Sequence, residues 1–249
     1  MNKYALWRRH SDAVNIRLLH RWLKPAKTDA ILKTDLFDES SSTGIYPALA
    51  LYAKTIVGID IAEPVIRAAA DQYPEIRAVP ADVRAIPFKD AQFDAIFSNS
   101  TLDHFTARSD IETSIGELGR VLKNNGILII TLDNISNPVV ALRNALPSNL
   151  LRRFGILPYF IGKSVSAAQL HEMLRKAGFR IIKTEYILHA PRIFAVAASR
   201  LLQAIAGKKI QDKFLSFLMR WEGLSQLPAQ SLTGYFTAVK AVKNNAIAP

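Results

Sequence analysis

The sequence contains no cysteine, and this absence removes several classes of chemistry. Without a thiol the chain forms no disulfide, holds no thiolate-bound metal and offers no cysteine nucleophile. Methylation of pyrimidine C5 through a thiolate adduct is excluded for the same reason. The first fifteen residues place Arg8, Arg9 and His10 where a secretory signal needs an unbroken apolar run. The expected location is therefore the reducing cytoplasm.

Acidic residues are scarce in the C-terminal part of the chain. The 249 residues carry 32 Lys and Arg against 21 Asp and Glu, a formal net charge of +11. Residues 1–139 sum to −1, whereas residues 140–249 hold four acidic residues and sum to +12. Such an excess is typical of proteins that meet a phospholipid surface, a nucleic acid or an anionic substrate, but it also serves solubility alone. The charge leaves these alternatives open.

The longest apolar stretch is also too short to span a bilayer. Residues 189–220 alternate apolar and basic side chains, and Arg200 interrupts the run below the 18 or so apolar residues of a spanning helix. Together with residues 150–160 they predict an apolar surface edged by cations. This surface either lies peripherally in an anionic membrane interface or packs as a lid over the sheet, with its Lys and Arg reaching water.

What is present is a regular alternation of strand and helix patterns. Hydrophobic residues make up 49% and charged residues 21%, as in ordinary globular proteins. Strands are predicted at 30–37, 55–60, 76–81, 93–98 and 126–131, and helices at 45–53, 62–72 and 108–123. Alternation of this kind predicts right-handed crossovers and a parallel sheet covered on both faces.

The flanking segments add helices and two closing strands. A helix at 11–23, with Ser11 as its cap, precedes the sheet, and residues 134–165 form an insertion rich in proline. The rest is predicted as a helix at 166–177 stopped by Gly178, a strand at 180–188, one or two helices within 192–221 and a last strand at 234–243.

Polar residues at the strand ends are the candidates for a ligand site, because open α/β sheets bind ligands there. Asp60 ends the second strand 16 residues after Gly44, close to the spacing between a nucleotide-binding turn and an acid that accepts from a ribose diol. Asp82 is placed to accept from an exocyclic amine, and His104 is a candidate base. The plainer alternatives are a helix cap for Asp60, a turn residue for Asp82, and a pocket wall for Asp103 and His104.

Four motifs, in order, resemble one family. They are DESSSTG after the first strand, VGIDIAEPVIRAA, ADVRAIPFKDAQFDAIFSNSTLDHF and ELGRVLKNNGILIIT. The series is similar to class I S-adenosylmethionine-dependent methyltransferases, especially the type 11 small-molecule group that includes quinone-biosynthesis enzymes. The resemblance covers about residues 30–131. It implies a doubly wound, Rossmann-like α/β fold with a seven-stranded, mostly parallel sheet, an antiparallel last strand, an N-terminal helix and helical C-terminal insertions.

The resemblance also assigns cofactor contacts residue by residue. Asp60 would hold the ribose diol and Ile61 would pack on adenine. The other contacts it implies are Asp82 and Val83 at the adenine edge, Ser98 and Asn99 near the methionine part, and Asp38, Ser40, Ser42 and Gly44 in the acidic and glycine-rich turn. Two of the three glycines of that turn are serines here, whose Cβ atoms restrict the backbone and leave room for a weakened or lost site. The N-terminal helix can cover the cofactor in this family, but His10 and Asn15 are equally expected on the surface.

We therefore expect one methyltransferase domain over residues 1–249, with a helical cap at 1–29, a cofactor-binding core at 30–133 and substrate-side insertions at 134–249. The expected reaction is methyl transfer from S-adenosylmethionine to a small apolar or lipid-linked acceptor, with His104 as the candidate catalytic residue and no metal. Alternatives are a nucleic-acid methyltransferase or a non-catalytic binding protein. The nucleic-acid alternative is weaker, because SNST stands where amino-methylating nucleic-acid enzymes carry NPPY. Neither the acceptor nor the oligomeric state follows from the sequence.

Overall fold

The computed structural model describes residues 5–23, 27–146, 162 and 164–245. Its centre is a seven-stranded sheet in the order β3-β2-β1-β4-β5-β7-β6. The strands are β1 (Thr28–Lys33), β2 (Ala53–Asp60), β3 (Arg77–Pro80), β4 (Phe93–Asn99), β5 (Leu122–Asp133), β6 (Phe179–Ile187) and β7 (Phe236–Lys243). Strands β1 to β5 pair in parallel, and β7 runs antiparallel to β5 and β6. The predicted doubly wound sheet with an antiparallel last strand is confirmed.

Helices cover both faces of this sheet because successive strand residues point to opposite sides. In β1, Ile31 packs into one hydrophobic cluster with the helices at 5–22 and 63–72, whereas its neighbour Leu32 packs into a second cluster with the helices at 108–121 and 167–176. The helices are α1 (Ala5–Trp22), α2 (Phe37–Ser41), α3 (Tyr46–Leu49), α4 (Glu63–Gln72), α5 (Arg108–Val121), α6 (Pro138–Ala145), α7 (Ala167–Lys176), α8 (Arg192–Ile205), α9 (Lys208–Arg220) and α10 (Gln230–Thr233).

Two predicted boundaries are wrong for identifiable reasons. The first strand ends at Lys33 instead of 37, because the Asp35 carboxylate accepts the N–H of Phe37 at 2.9 Å and turns the chain into α2. The first helix includes Ala5 to Trp22, so Ser11 lies inside it and caps nothing. Within the predicted insertion, Asn137 caps α6 with its side chain. The apolar and basic cluster at 150–160 lies outside the described residues.

Across the described ranges, no helix combines the length and the hydropathy needed to cross a membrane.

The strand order reverses between β1 and β4, which places a crevice at their carboxyl ends. The ends of four neighbouring strands are tied together there. Leu36, just beyond β1, donates its N–H to the Asp60 carboxylate at the end of β2, and Ala81 beyond β3 donates its N–H to the Asp60 carbonyl. Thr34 donates its hydroxyl to Ser98 of β4 at 2.9 Å. The sequence-predicted site residues therefore share one edge of the sheet.

Candidate functional site

Asp60 presents an ionisable carboxylate with unused acceptor capacity at this edge. Its Oδ1 accepts the N–H of Ala62 at 2.9 Å, and its Oδ2 accepts the N–H of Leu36 at 3.1 Å. Each carboxylate oxygen has a second lone pair, and no described cation pairs with this group. The next side chain, Ile61, is 75% exposed and offers an apolar surface beside the carboxylate. A ligand that carries a diol next to a flat apolar ring would fit the Asp60 carboxylate and the Ile61 side chain.

The turn after β1 is built around a buried ion pair. Lys33 Nζ lies 2.8 Å from Glu39 Oε2, and the two side chains are 1% and 0% exposed. Glu39 Oε1 also accepts the N–H groups of Ile45 at 2.9 Å and Tyr46 at 3.2 Å. Gly44 has φ +60°, and a Cβ there would come within 2.6 Å of Glu39 Oε1. The glycine of this turn thus makes room for a carboxylate of the chain itself.

The serines at the other two glycine positions belong to a local helical turn. Ser40 Oγ donates to the carbonyl of Phe37 at 2.8 Å, and Ser42 Oγ donates to that of Asp38 at 3.0 Å. Ser42 is extended, with φ −152°, a conformation open to any residue. Asp38 lies within α2 and pairs with Arg8 at 2.7 Å. The glycine-rich turn of the resembling family is therefore replaced here by α2 and its hydroxyl contacts.

Restoring the glycines is expected to weaken the turn without improving ligand binding. Ser40→Gly/Ser42→Gly removes two hydroxyl contacts and adds backbone freedom, which costs about 1 to 2 kcal/mol of unfolding free energy. The affinity for S-adenosylhomocysteine should change by less than about threefold, because neither serine backbone needs a glycine conformation. Urea denaturation and calorimetry measure the two quantities. A gain in affinity of tenfold or more would show that the serines obstruct the site.

One face of α1 covers this turn and leaves buried polar atoms without partners. Arg8, Asp12 and Asn15 follow helical spacing, Arg8 reaches Asp38, and Asp12 Oδ2 accepts from Ser42 Oγ at 3.4 Å. Arg8 Nε, Asp12 Oδ1 and Asn15 Oδ1 are buried and have no hydrogen-bond partner among the described residues. Asn15 is buried, so of its two alternatives the surface position is wrong. The unpartnered donor of Arg8 suits the carboxylate of an amino acid, and the unpartnered acceptors of Asp12 and Asn15 suit its ammonium.

His10 is likewise buried instead of exposed. In the part of the chain that the structure describes, neither ring nitrogen of His10 has a hydrogen-bond partner, and burial lowers the pKa of His10 to about 4. The neutral imidazole therefore packs against Trp7, with the centroids of the two rings 5.3 Å apart. His10 is therefore a core residue, and the surface alternative for it is wrong.

Carboxylates outnumber cations around the turn. Burial, then the charges of Asp38 and Glu39, raise the pKa of Asp12 to about 7 against the lowering effect of Lys33 and a hydrogen bond from Ser42. Burial also raises the pKa of Asp35 to about 6, with Asp38 and Asp60 adding to it and Lys33 opposing. Such a cluster favours a cationic ligand, because a positive charge would allow these acids to ionise. S-adenosylmethionine carries both an ammonium and a sulfonium, so the residues present fit it.

Asp12 should make stability depend on pH between about 4 and 7. Its folded-state pKa lies above its value of 3.8 in the unfolded chain, so the folded protein holds the proton more tightly. The resulting stabilisation is complete below about pH 4 and is lost as the pH rises through about 7. Relative to Asp12→Asn, the wild-type unfolding free energy should fall by up to about 4 kcal/mol across this range. Parallel urea titrations of both proteins test this, and identical pH curves would contradict it.

Ser98 and Asn99, at the end of β4, hold neighbouring strands together. Ser98 is fully buried and accepts from Thr34, while Asn99 Oδ1 accepts from the Thr131 hydroxyl at 2.9 Å. Ser100 follows with φ 51° and donates its N–H to the Thr131 carbonyl at 3.0 Å. The hydroxyl of Ser98 and the amide oxygen of Asn99 thus already have protein partners, and their cofactor roles remain predictions.

A buried carboxyl pair lies beside them at the ends of β4 and β5. Asp103 accepts from the Ser100 hydroxyl at 2.6 Å and from the N–H of Asp133 at 2.9 Å. Burial, and then the Asp133 charge, raise the pKa of Asp103 well above its usual value. Asp133 pairs with Arg143 of α6 at 2.5 Å. This network fixes the 3-10 turn Leu102–His104, on which the His104 side chain is exposed.

Asp82 is already engaged by a cation. Arg84 Nη2 lies 2.6 Å from Asp82 Oδ2, and Arg84 also contacts Asp110 at 3.2 Å. The hydrogen bonds from Arg84 lower the pKa of Asp82 below its usual value. The side chain of Val83 is buried, which leaves its backbone as the expected contact with adenine. The described residues contain no group of His, Asp or Glu arranged to hold a metal ion.

The structure thus brings Asp60, Ile61 and the turn after β1 to one crevice, with α1 above it. Sequence reasoning missed the α1 face and the Lys33–Glu39 pair. One signal was available for the pair, because a lysine within a buried apolar strand needs a compensating charge nearby. The contribution of Arg8 and Asp12 had no signal in the sequence, since it depends on how α1 packs.

Comparison with known proteins agrees with this geometry. Residues 40–130 match a family described as a methyltransferase domain. A probable S-adenosylmethionine-dependent methyltransferase of Mycobacterium tuberculosis is 23% identical over 167 residues, covering 64% of this chain and 56% of the relative. The demethylmenaquinone methyltransferase of Thermus thermophilus is 34% identical over 122 residues, covering 44% and 53%. The chain thus spans about half the length of these curated relatives.

Solved structures share the fold. The crystal structure of the [4+2]-cyclase SpnF superposes with a TM-score of 0.63 at 21% identity, covering 99% of this chain and 86% of that one. At this identity the likeness concerns the fold alone. Together with the matched methyltransferase domain over residues 40–130, the strand order makes this chain similar to the class I S-adenosylmethionine-dependent methyltransferases.

Proposed function

We propose that the protein transfers the methyl group of S-adenosylmethionine to a small apolar or lipid-linked acceptor. The observation that carries the proposal is the Asp60 carboxylate. Among the described residues it has two backbone N–H partners and no cation, and it stands beside the exposed Ile61 at the switch point of the sheet. When bound, the cofactor supplies a methyl group already activated on a sulfonium, so no protein nucleophile is needed.

The chain's own residues would then bind and orient the donor. On this proposal Asp60 holds the ribose, Ile61 packs on adenine, and the orphaned atoms of Arg8 and Asp12 receive the amino-acid end. Closing α1 over the turn keeps water away from the site, as the burial of Asp12 supports. Alignment of donor and acceptor in a dry crevice is the main source of rate in such a transfer.

The acceptor would lie at the ends of β4 and β5. His104 is proposed to take the proton of an oxygen or nitrogen acceptor, because its exposed ring stands on the turn fixed by Asp103. Helix α6 presents Val139 and Leu142 as exposed apolar side chains after β5. Their apolar character, together with the demethylmenaquinone relative, supports a hydrophobic acceptor over a charged one.

The test is a transfer assay with S-adenosylmethionine labelled in its methyl group. A prenylated quinol, a short water-soluble quinol and an RNA are offered separately to the protein. We expect label in the prenylated quinol, and a reduced turnover in His104→Ala at unchanged cofactor affinity. Label in RNA would favour a nucleic-acid methyltransferase, the alternative that the +12 half motivates. Cofactor binding without transfer to any acceptor would favour a non-catalytic binding protein.

A further inference from the structure

Helix α8 exposes a continuous apolar stripe. Ile193, Phe194, Leu201 and Ile205 are 59% to 74% exposed, and their spacing places them along one face of the helix. On the opposite face, Ala195 and Ser199 are buried against the body of the protein. Large side chains in such a row are unusual on a free surface, because contiguous exposed apolar patches mark interaction sites.

The adjoining helix α9 adds a group of cations. Lys208, Lys209, Lys213 and Arg220 line one open depression together with Phe217. Its single acidic residue, Asp212, is bound by Arg9 of α1 at 2.6 Å. Among the residues that the structure describes, none of these four cations has a salt-bridge partner. Helices α8 and α9 therefore present apolar and basic side chains side by side.

We propose that α8 and α9 dock the protein on the surface of an anionic phospholipid bilayer. The positive charge beside the apolar stripe favours a bilayer over a second copy of the chain or a nucleic acid. Two copies of the chain meeting through this surface would bring their lysines together, and a nucleic acid would leave the apolar stripe in water. A bilayer interface satisfies both features, because apolar side chains enter the headgroup boundary while each cation gains about 1 kcal/mol from anionic lipid.

The docked surface is joined to the acceptor side of the sheet. Arg192, the first residue of α8, lies 4.4 Å above the ring of Tyr235. The Tyr235 hydroxyl accepts from Arg143 at 2.6 Å, and Arg143 pairs with Asp133 at the end of β5. An acceptor dissolved in the bilayer would therefore reach the protein on the side that the proposed function assigns to it. The docking itself does not depend on that function.

Vesicle flotation with the full chain tests the proposal. Two kinds of vesicle are compared: phosphatidylcholine alone, and phosphatidylcholine with about 30 mol% of the anionic lipid phosphatidylglycerol. Neither contains a methyl acceptor, so binding to them is independent of catalysis. The wild type should float with the anionic vesicles. Salt at 0.5 M shortens the screening length to a few Å and should weaken this binding about tenfold or more.

Two variants separate the apolar and basic contributions. Phe194→Asp/Ile205→Asp and Lys208→Ala/Lys209→Ala/Lys213→Ala should each lose about tenfold or more in vesicle affinity while keeping the wild-type circular dichroism spectrum. Leu51, an exposed apolar residue in the turn before β2 and outside α8 and α9, gives the matched control: Leu51→Asp should bind like the wild type. Equal binding of all variants would overturn the proposal. A wild-type dimer that the Asp variant dissociates, with no vesicle binding, would overturn it in favour of a second copy.

Discussion

Glu39→Gln is expected to lower the free energy of unfolding by about 3 to 5 kcal/mol, the usual cost of removing one member of a buried ion pair. The amide keeps an oxygen for the N–H groups of Ile45 and Tyr46, so the change isolates the charge. Burial alone would lower the pKa of Lys33, but the carboxylates of Glu39, Asp35 and Asp38 raise it above its usual value. Without Glu39 the buried ammonium loses its main partner.

Two further variants make this result interpretable in urea denaturation. Lys33→Met/Glu39→Gln removes both charges and should recover most of the loss, because no uncompensated ion is left in the core. Asp29→Asn breaks the Lys54–Asp29 pair, whose side chains are 70% exposed, and should cost less than about 1 kcal/mol. If Glu39→Gln were as mild as Asp29→Asn, the buried pair would not hold the turn.

Asp60→Asn is expected to weaken the binding of S-adenosylhomocysteine by about 100-fold. A carboxylate accepts from both hydroxyls of a ribose, and each hydrogen bond to a charged group contributes about 1.5 to 3 kcal/mol. The asparagine oxygen can accept only one of the two backbone N–H groups that Asp60 binds, from Ala62 or from Leu36, so part of the loss comes from the hydrogen bond that the variant cannot make. Calorimetric titration of the folded variant measures the loss.

A matched control separates this contact from a general change in charge. Asp71→Asn removes an exposed carboxylate of α4 and should leave the affinity within about twofold, because an exposed charge is screened by salt. Equal affinities for wild type, Asp60→Asn and Asp71→Asn would place the ribose elsewhere. Because product binding requires no acceptor, this result is independent of which molecule is methylated.

The sheet was predictable from the sequence because its signals are local. Buried strands such as β1, which carries Ile31 and Leu32, alternate with helices along the chain. This alternation dictates parallel pairing and right-handed crossovers. The position of Asp60 followed from the same logic, since it ends a strand next to the point where the order reverses. What failed was the turn after β1, where the Asp35 carboxylate ends the strand early by accepting the N–H of Phe37.

The remaining parts of the site depend on contacts between distant segments. Arg8 meets Asp38, and Asp12 meets Ser42, each across 30 residues, so no local pattern announces them. The burial of His10 and Asn15 is also a packing result, because α1 is covered on several sides instead of one. The helix predicted at 11–23 is therefore a mostly buried helix that carries polar atoms into the crevice.

A crystal structure of the protein with S-adenosylhomocysteine would test the placement of the cofactor at Asp60. We expect the ribose hydroxyls within hydrogen-bond distance of the Asp60 carboxylate, adenine against Ile61, and the amino-acid end at the orphaned atoms of Arg8 and Asp12. Saturating ligand that leaves this edge of the sheet unoccupied, or that binds with its ribose away from Asp60, would contradict it.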